Sequence, residues 1–267
     1  MNRGRVLVVS VGVVRPLPWH GRTVASGIAK VPVEGPVEVT RLGLAGDEQG
    51  DRKRHGGPDK AVLVYPGEHY RAWAPRLGDL TAPAFGENLT TSGVLEGDVV
   101  LGSVYAVGTA VLQVTQPRRP CFRLAAHHGV EDLAVLTQRS GRTGFYCRVL
   151  TPGHVTAGDR LDLLSRPGHG ITAAEVHRVL NVDRADRAAA RRLLDHPDVL
   201  PASWATLLGK RLDGHLDDQA ERLHGRAGDT PPPSQPRNAG AAGHPVEISE
   251  QPGATAPGPP PGGRGFR

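Results

Sequence analysis

The sequence has 267 residues, enough for one sizeable hydrophobic core or for one large and one small domain. Hydrophobic residues make up only 38%, aromatic residues 4%, and the formal net charge is +5. No run of about 20 apolar residues occurs, and the basic residues are dispersed rather than gathered in a stripe with stacking aromatics. The composition therefore argues against a membrane or nucleic-acid partner, and the modest positive charge is better suited to a small anionic ligand.

The chain begins with a basic and then Val-rich segment, residues 1–14, which has the outline of a signal peptide. Gly12 interrupts this segment, and no small-residue cleavage site follows before Arg15 and Pro16, so we interpret it as a first strand. The chain has only two cysteines, which is too few for a disulfide framework and agrees with a reducing compartment. We therefore expect a cytoplasmic protein.

Short β-branched runs interrupted by Gly and Pro follow as far as residue 164, and they predict strands. The runs are VLVVSVGVV (6–14), AVLVY (61–65), DVVLG (98–102), AVLQVTQ (110–116) and RLDLLSR (160–166). Two segments between them predict helices, PGEHYRAWAPRLG (66–78) and GVEDLAVLTQRSG (129–141). Since strands outnumber helices and their spacing is irregular, we predict an α+β fold with a mixed, largely antiparallel and barrel-like sheet.

From residue 171 onward the composition becomes helical, beginning with Thr172 and Glu175 at the spacing of a capping box. Three helices are predicted in TAAEVHRVL (172–180), DRADRAAARRLLD (183–195) and PASWATLLGKRL (201–212), with a short extension in DDQAERLHG (217–225). Pro and Gly supply 18 of the last 41 residues, which cannot bury enough apolar surface to offset the entropy of ordering. We therefore predict a β-rich domain at residues 1–168, a helical domain at 170–225 and a disordered tail at 226–267.

Cys121 stands in an unusual context, because Arg118, Arg119 and Arg123 lie close to it in TQPRRPCFRL. A free cysteine is most often a small buried hydrophobic residue. Arginines that face it would instead stabilise the thiolate and lower its pKa, which makes the sulfur a nucleophile or a soft metal ligand. Both interpretations stay open from the residues alone, whereas Cys147 alternates with apolar neighbours in a strand-like run and is interpreted as core.

A second candidate is the charged loop at residues 42–65, which joins two predicted strands. The sequence Gly-Gly-Pro-Asp after His55 is also ordinary turn chemistry in a solvated loop. In a functional interpretation, glycines at 56 and 57 let backbone N–H groups approach an anion, helped by nearby cationic side chains. The candidate cationic residues are Lys53, Arg54, His55 and Lys60. Neither a Walker A motif nor a G-x-G-x-x-G motif occurs, so this is not a standard nucleotide loop.

Two further candidates are the loop PAFGENLT (83–90) and Lys30 in ASGIAKVPV. Gly86, Glu87 and Asn88 offer exposed backbone, an acceptor and an amide, although each is also common in an ordinary turn. Lys30 is either an exposed charge at a strand edge or a side chain able to reach a phosphate.

Taken in order along the chain, these stretches resemble the MOSC family, the C-terminal domain type of molybdenum cofactor sulfurases, and especially its YiiM-like branch. The matching stretches are SGIAKVPV (26–33), LGLAGDEQGDRKRHGGPDKAVLVYPGEHY (42–70), PAFGENLTTSGVLEGDVVLG (83–102) and QVTQPRRPCFRL (113–124). Four motifs in the right order make the resemblance specific, and it extends over residues 5–224. It implies a β-rich MOSC domain followed by a three-helix domain.

In reductase members of this family, a cysteine in the context of Cys121 is the thiolate ligand of molybdenum, which a pterin with a phosphate tail also holds. The resemblance therefore implies a molybdenum cofactor (molybdopterin) site with Cys121 as the metal ligand. The implied cofactor-binding residues are Lys30, Arg54, His55, Gly56, Gly57, Lys60, Gly86, Asn88, Arg118, Arg119 and Arg123. The implied reaction is a detoxifying two-electron reduction of an N-hydroxylated compound, a hydroxylaminopurine or an amidoxime, with His55 or Glu87 relaying protons beside the catalytic Cys121.

The same resemblance implies a separate electron-donor protein, a flavin or iron–sulfur reductase. Two cysteines cannot ligate an ordinary four-cysteine iron–sulfur cluster, and no flavin or dinucleotide motif is present. Two other classes of protein stay open. Cys121 could carry a persulfide for sulfur transfer, or the protein could carry the molybdenum cofactor to another enzyme without catalysis.

Overall fold

The structure is a computed structural model that describes residues 4–51 and 55–225. Its strands are β1 Gly4–Val11, β2 Arg15–Trp19, β3 Arg22–Ser26, β4 Val31–Pro32, β5 Val37–Thr40, β6 Gly43–Leu44, β7 Val62–Pro66, β8 Leu89–Ser92, β9 Val104–Val107, β10 Ala110–Pro117, β11 Phe145–Thr151, β12 Gly153–Val155 and β13 Arg160–Ser165. Its α-helices are α1 Glu68–Leu77, α2 Phe122–His128, α3 Leu133–Ser140, α4 Ala173–His177, α5 Arg187–Leu194, α6 Ala202–Leu212 and α7 Ala220–His224. A π-helical turn at Arg178–Val182 continues α4, and two 3₁₀ turns lie at Pro58–Lys60 and Pro197–Val199.

Seven strands form a closed barrel in the order β13, β9, β10, β11, β7, β8 and β1. The barrel closes where β1 pairs with β13, at Gly4–Leu161 and Arg5–Arg160. Every pairing in it is antiparallel except that of β7 with β8, which α1 connects by a crossover. The predicted α+β class with a mixed, barrel-like sheet is confirmed.

Three smaller elements decorate the barrel. Strand β4 extends the sheet beyond β1, strands β5, β6 and β12 form a separate small sheet, and β2 and β3 form a hairpin. The polar loops that follow β3 and β6 run between these decorations, and they supply part of the candidate site.

The core of the barrel comes from alternating positions on its strands, as a half-buried sheet requires. In β11, for example, Phe145, Cys147 and Val149 are buried, while Tyr146 and Arg148 between them are more exposed. Cys147 is therefore a core residue, as predicted, and burial raises the pKa of its thiol to about 12.

One predicted strand is wrong. Residues 98–102, DVVLG, form turns, and only Val100 makes an isolated bridge, to Thr172. Val99, Val100 and Leu101 are fully buried because they pack under the start of the helical segment, where Leu101 N–H donates to the Ile171 carbonyl at 3.0 Å. A short apolar run indicates that its residues are buried, but it does not by itself distinguish a strand from a buried turn.

The helices predicted after residue 171 are all present. Thr172 Oγ1 accepts a hydrogen bond from the Glu175 backbone N–H at 3.1 Å, as the N-cap half of the expected capping box. Trp204 and Leu208 of α6 are buried and belong to the same hydrophobic cluster as Val6 and Val9 of the barrel. The division into domains at residues 168–170 stays a prediction, and the predicted tail at 226–267 lies outside the described residues.

No helix within residues 4–51 and 55–225 has both the length and the apolar character needed to cross a membrane.

Candidate functional site

Cys121 lies where strand β10 ends and helix α2 begins. The Arg118 backbone N–H donates to the Gly144 carbonyl at 3.0 Å, which ties the loop after β10 to the strand entering β11. The cysteine then occupies the N-cap position of α2 in extended geometry, and only 7% of its surface is exposed. The loop between a long strand and a short helix therefore holds the sulfur at a fixed place at one end of the barrel.

The environment of Cys121 favours the thiolate. Burial by itself raises the pKa of a thiol, but the charge and hydrogen bond of His55, the Arg118 guanidinium and the Arg123 backbone N–H together outweigh it. The pKa of Cys121 falls to about 6 as a result. His55 Nε2 lies 3.6 Å from the sulfur. The buried thiol is therefore largely ionised near neutral pH, in contrast to Cys147.

Arg118 has the features of an anion-binding residue. Its side chain is only 6% exposed, yet its Nη1 atom has no hydrogen-bond partner and no carboxylate pairs with it among the residues that the structure describes. A buried guanidinium nitrogen without a partner costs free energy unless something binds to it. The residue lines an open cleft next to Cys121, so an anionic group can reach it there.

This first cleft is lined by residues from the loops after β3 and β6, from the strand ends of β7 and β10 and from β11. The lining residues are Ala25, Ser26, Gly27, Ile28, Lys30, Asp47, Glu48, Gln49, Gly50, Asp51, His55, Lys60, Leu63, Phe85, Gly86, Asn88, Arg118, Cys121, Arg123 and Tyr146. Of the residues singled out in the sequence, it brings together Lys30, His55, Lys60, Gly86, Asn88, Arg118, Cys121 and Arg123.

Glycines let two of these loops meet. A Cβ on Gly27 would lie 2.1 Å from the Glu48 carbonyl oxygen, so only glycine permits this contact between the loops after β3 and β6. Gly86 has a φ of +75°, and a Cβ there would lie 2.7 Å from Ile28 Cγ1. The wall of the cleft is therefore built from backbone packed directly on backbone.

Lys30 does not stand free in the cleft. Its ammonium group forms a buried ion pair with Asp47, whose carboxylate also accepts from Asn88 Nδ2 at 2.9 Å and from the Gly12 backbone N–H at 2.9 Å. Burial lowers the pKa of Lys30, and the attraction of Asp47 opposes that change. The pair and the Asn88 amide hold three separate loops together at the cleft wall.

Glu87 is fully buried and lies outside the cleft lining. Its carboxylate accepts hydrogen bonds from the Phe85 backbone N–H at 2.8 Å, from Thr90 Oγ1 at 3.1 Å and from the Tyr70 hydroxyl. These contacts fix the loop that carries Gly86 and Asn88. Glu87 therefore supports the loop and has no direct access to the cleft.

The remaining predicted residues lie elsewhere. Gly57, with a φ of +93°, precedes the turn at Pro58–Lys60, and neither it nor Gly56 is part of the cleft lining. Arg119 extends towards the helical segment, where its Nε donates to Asn181 Oδ1 at 2.9 Å. Arg54 lies outside the described residues.

Sequence reasoning missed Asp47 and Tyr146, which line the cleft, and Arg222, which contacts the residue before Cys121. Asp47 stands in the charged loop at 42–65, but nothing in its local pattern shows that it pairs with Lys30. Tyr146 lies in a strand with apolar neighbours, so its pattern suggested only a core. Arg222 donates to the Pro120 carbonyl from 102 residues further along the chain, which no local spacing predicts.

Comparison with known proteins places this barrel and cleft in a family. The MOSC domain family matches residues 51–162. Protein YiiM of Escherichia coli (strain K12) is 42% identical over 206 residues, which cover 75% of this chain and 91% of YiiM. A protein of Gibberella moniliformis (strain M3125 / FGSC 7600) named Reductase is 36% identical over 167 residues, 60% of this chain and 29% of that protein.

The fold agrees with these sequence relationships. The crystal structure of YiiM from Geobacillus stearothermophilus superposes with a TM-score of 0.65 at 38% identity, covering 78% of this chain and 99% of that one. The chain therefore belongs to the MOSC domain family, as a YiiM-like member. MOSC domains in general are associated with the molybdenum cofactor.

Proposed function

We propose that this protein is a molybdenum-cofactor-dependent reductase of N-hydroxylated compounds. The observation that carries the proposal is the buried thiolate of Cys121 beside Arg118, whose guanidinium has a buried nitrogen without a partner among the described residues. Membership of the MOSC family and the relative named Reductase support the same proposal.

The residues around the cleft fit an anionic cofactor that binds a metal through sulfur. Cys121 is a deprotonated soft ligand, which suits molybdenum. Arg118, Lys60 and Arg123 offer positive charge to the phosphate tail of the pterin, and Asn88 and Gly86 line the same cleft. When bound, the cofactor supplies two-electron redox chemistry at the metal.

No group of three or more His, Cys, Asp or Glu side chains able to hold a metal occurs in the described part of the chain. The proposal does not require one, because the pterin would supply the other sulfur ligands and Cys121 the protein ligand.

The overall reaction is R–NH–OH + 2 H⁺ + 2 e⁻ → R–NH₂ + H₂O, in which the N–O bond breaks and the oxygen leaves as water. His55 is the residue best placed to deliver a proton, because its Nε2 faces the Cys121 sulfur and it lines the cleft. Glu87 holds the loop at 84–88 in this mechanism, since its carboxylate is occupied by backbone and hydroxyl donors.

Electrons reach the site from a separate donor protein in this proposal, a flavin or iron–sulfur reductase. The chain has two cysteines, and Cys147 is enclosed in the barrel core, so this chain cannot ligate a four-cysteine cluster.

The first test is the metal and pterin content of protein produced in a host that makes the cofactor. We expect molybdenum and pterin in the wild type and in Cys147→Ala, and neither in Cys121→Ala. Cys147→Ala is the matched control, because it removes a buried thiol at a cost of about 1 kcal/mol without touching the cleft. Full metal content in Cys121→Ala would make the assignment wrong.

The second test is anaerobic turnover of a hydroxylaminopurine or an amidoxime with a reduced viologen as electron donor. We expect reduction by the wild type and by Cys147→Ala, and none by Cys121→Ala. A protein that contains no molybdenum but carries a persulfide on Cys121 would instead be a sulfur carrier. A metal-loaded protein that is inactive on every N-hydroxy compound would be a cofactor carrier.

A further inference from the structure

A second cleft adjoins Cys121, between the start of α2 and the helices α6 and α7. It has a volume of about 470 Å³, which is within the range of small-molecule sites. The two clefts meet at the sulfur, because Cys121, His55, Lys60, Arg123 and Tyr146 line both. A molecule in the second cleft can therefore approach Cys121.

The second cleft contains an arginine held only by neutral groups. Arg222 of α7 donates to the Pro120 carbonyl, to Gln138 Oε1 at 2.6 Å and to Gln219 Oε1 at 3.0 Å. Within the described ranges no carboxylate forms an ion pair with it. The protein thus fixes a guanidinium at the cleft through neutral hydrogen-bond acceptors.

The negative charges of Cys121 and Asp217 compensate only in part for the charge of Arg222. Asp217 is shared by three guanidinium groups, those of Arg119 at 3.6 Å, Arg184 at 3.2 Å and Arg211. Burial, with a further contribution from the charge of Arg119, lowers the pKa of Arg222 to about 9. An added anion would relieve this crowding of positive charge.

Four cationic side chains line the cleft, Lys60, Arg119, Arg123 and Arg222, and so do four anionic groups, Asp217, Asp218, Glu221 and the thiolate of Cys121. Two more arginines, Arg184 and Arg211, share Asp217, so positive charge exceeds negative charge around the cleft. An anionic substituent on the ligand is therefore favoured over a cationic one.

The other walls are aromatic and apolar. Tyr146 and Trp204 line the cleft together with Phe122, whose ring already stacks on Trp19, and the Arg119 guanidinium lies 6.0 Å from the centre of the Trp204 ring. Flat aromatic faces next to arginine are the chemistry that binds nucleobases by stacking. The two features together select a flat ring system that carries a phosphate.

We propose that the second cleft binds the N-hydroxylated base as its nucleoside monophosphate, with the phosphate at Arg222 and the base directed towards Cys121. The N-hydroxy identity of the base rests on the proposed function. The preference for a nucleotide over a nucleoside is independent of the proposed function, since it follows from the residues of the cleft alone.

The test is equilibrium binding of adenosine monophosphate and of adenosine to the full chain without cofactor, measured by isothermal titration calorimetry. We expect the monophosphate to bind at least about tenfold more tightly than adenosine, as a charge-assisted pair with arginine provides. In Arg222→Gln this advantage should disappear while adenosine affinity stays unchanged. Arg192→Gln is the matched control, since Arg192 is half exposed and pairs with Glu175 away from the cleft.

Equal affinities for the two ligands in the wild type, or an advantage that survives in Arg222→Gln, would overturn the proposal. Inorganic phosphate that binds as tightly as the monophosphate would overturn the role of the aromatic walls. Should Arg222→Gln not fold, Arg222→Lys keeps the charge without the guanidinium fork, and we expect it to retain only part of the advantage.

The result is separable from that of the proposed function. Nucleotide binding by a protein that never acquires molybdenum would support the second cleft and remove the reductase. Reduction of a free base with no preference for its nucleotide would support the reductase and remove this inference. Loss of pterin from Arg222→Gln without any nucleotide binding would assign Arg222 to the cofactor.

Discussion

The two cysteines show how strongly position changes the chemistry of one residue type. Cys147 lies among apolar side chains, and burial alone raises the pKa of its thiol to about 12. Cys121 is also buried, but His55 and Arg118 reverse that effect and lower its pKa to about 6. The three neighbouring arginines singled out Cys121 in the sequence, but the contact of its sulfur with His55, 66 residues earlier, is visible only in the structure.

A pH titration of the cofactor-free protein tests this assignment. The ultraviolet absorbance of the thiolate should rise with a midpoint near pH 6, and Cys121→Ala should abolish that rise, whereas Cys147→Ala should not. In His55→Gln the midpoint should move upward, because His55 supplies the largest contributions that lower the pKa. A midpoint that stays near 6 in His55→Gln would show that Arg118 and the backbone are sufficient.

The same shift has a defined effect on folding stability. Because the folded-state pKa lies below the value of an unfolded cysteine, ionisation of Cys121 stabilises the folded state fully above the unfolded pKa. This contribution declines as the pH falls and is lost below about pH 6. Comparing the pH dependence of unfolding for the wild type and Cys121→Ala isolates it.

How much of the site could be predicted depends on the range of its contacts. Lys30, His55, Gly86 and Asn88 stood out because polar residues and glycines at strand ends are visible in a local pattern. The Asp47 pairing and Arg222 were missed, because contacts between loops far apart in sequence leave no local periodicity. Glu87 was visible as a polar residue, but its burial could be seen only in the folded chain.

Among elements, the loop at 84–88 depends on a single buried carboxylate. Glu87→Ala leaves the donors of Phe85, Thr90 and Tyr70 without their acceptor, so we expect a loss of about 3 kcal/mol in the free energy of unfolding. Glu87→Gln keeps one acceptor oxygen and should lose less. Denaturant unfolding measures both.

This pair of variants also separates a supporting role from proton transfer. If Glu87 only holds the loop, stability and turnover should fall together, and Glu87→Gln should be milder than Glu87→Ala in both. Turnover abolished in Glu87→Gln at unchanged stability would instead show that the carboxyl group moves a proton.

Elements differed in how well the sequence revealed them. The long strand β10 and helix α6 have clear periodicity and formed as predicted. Helix α2 was not predicted because its N-cap is Cys121, directly after a proline, instead of a Ser, Thr or Asp. The hairpin of β2 and β3 was not predicted from the sequence, because Pro16 and Pro18 lie in β2 and proline normally argues against the interior of a strand.

At the scale of the whole molecule, the last described helix connects distant parts of the chain. Leu223 of α7 is buried, Trp19 Nε1 of the β2–β3 hairpin donates to the His224 carbonyl at 2.8 Å, and Arg22 donates to the Gly225 carbonyl. Arg222 joins the same helix to the loop before Cys121. The composition of residues 227–267, by contrast, predicts no packed structure.

Two truncations therefore have opposite expected results. A chain ending at residue 226 keeps the contacts of α7 with the other described residues, so its melting temperature and turnover should equal those of the full chain. A chain ending at Gln219 loses the buried Leu223 and the hydrogen bonds of the β2–β3 hairpin and of Arg222, together about 3 kcal/mol or more. For a chain of this size that corresponds to a fall of roughly 6–12 °C in melting temperature, measured by circular dichroism. A lower melting temperature in the first truncation would show that the tail packs on the body, and an unchanged one in the second would show that α7 contributes no stability.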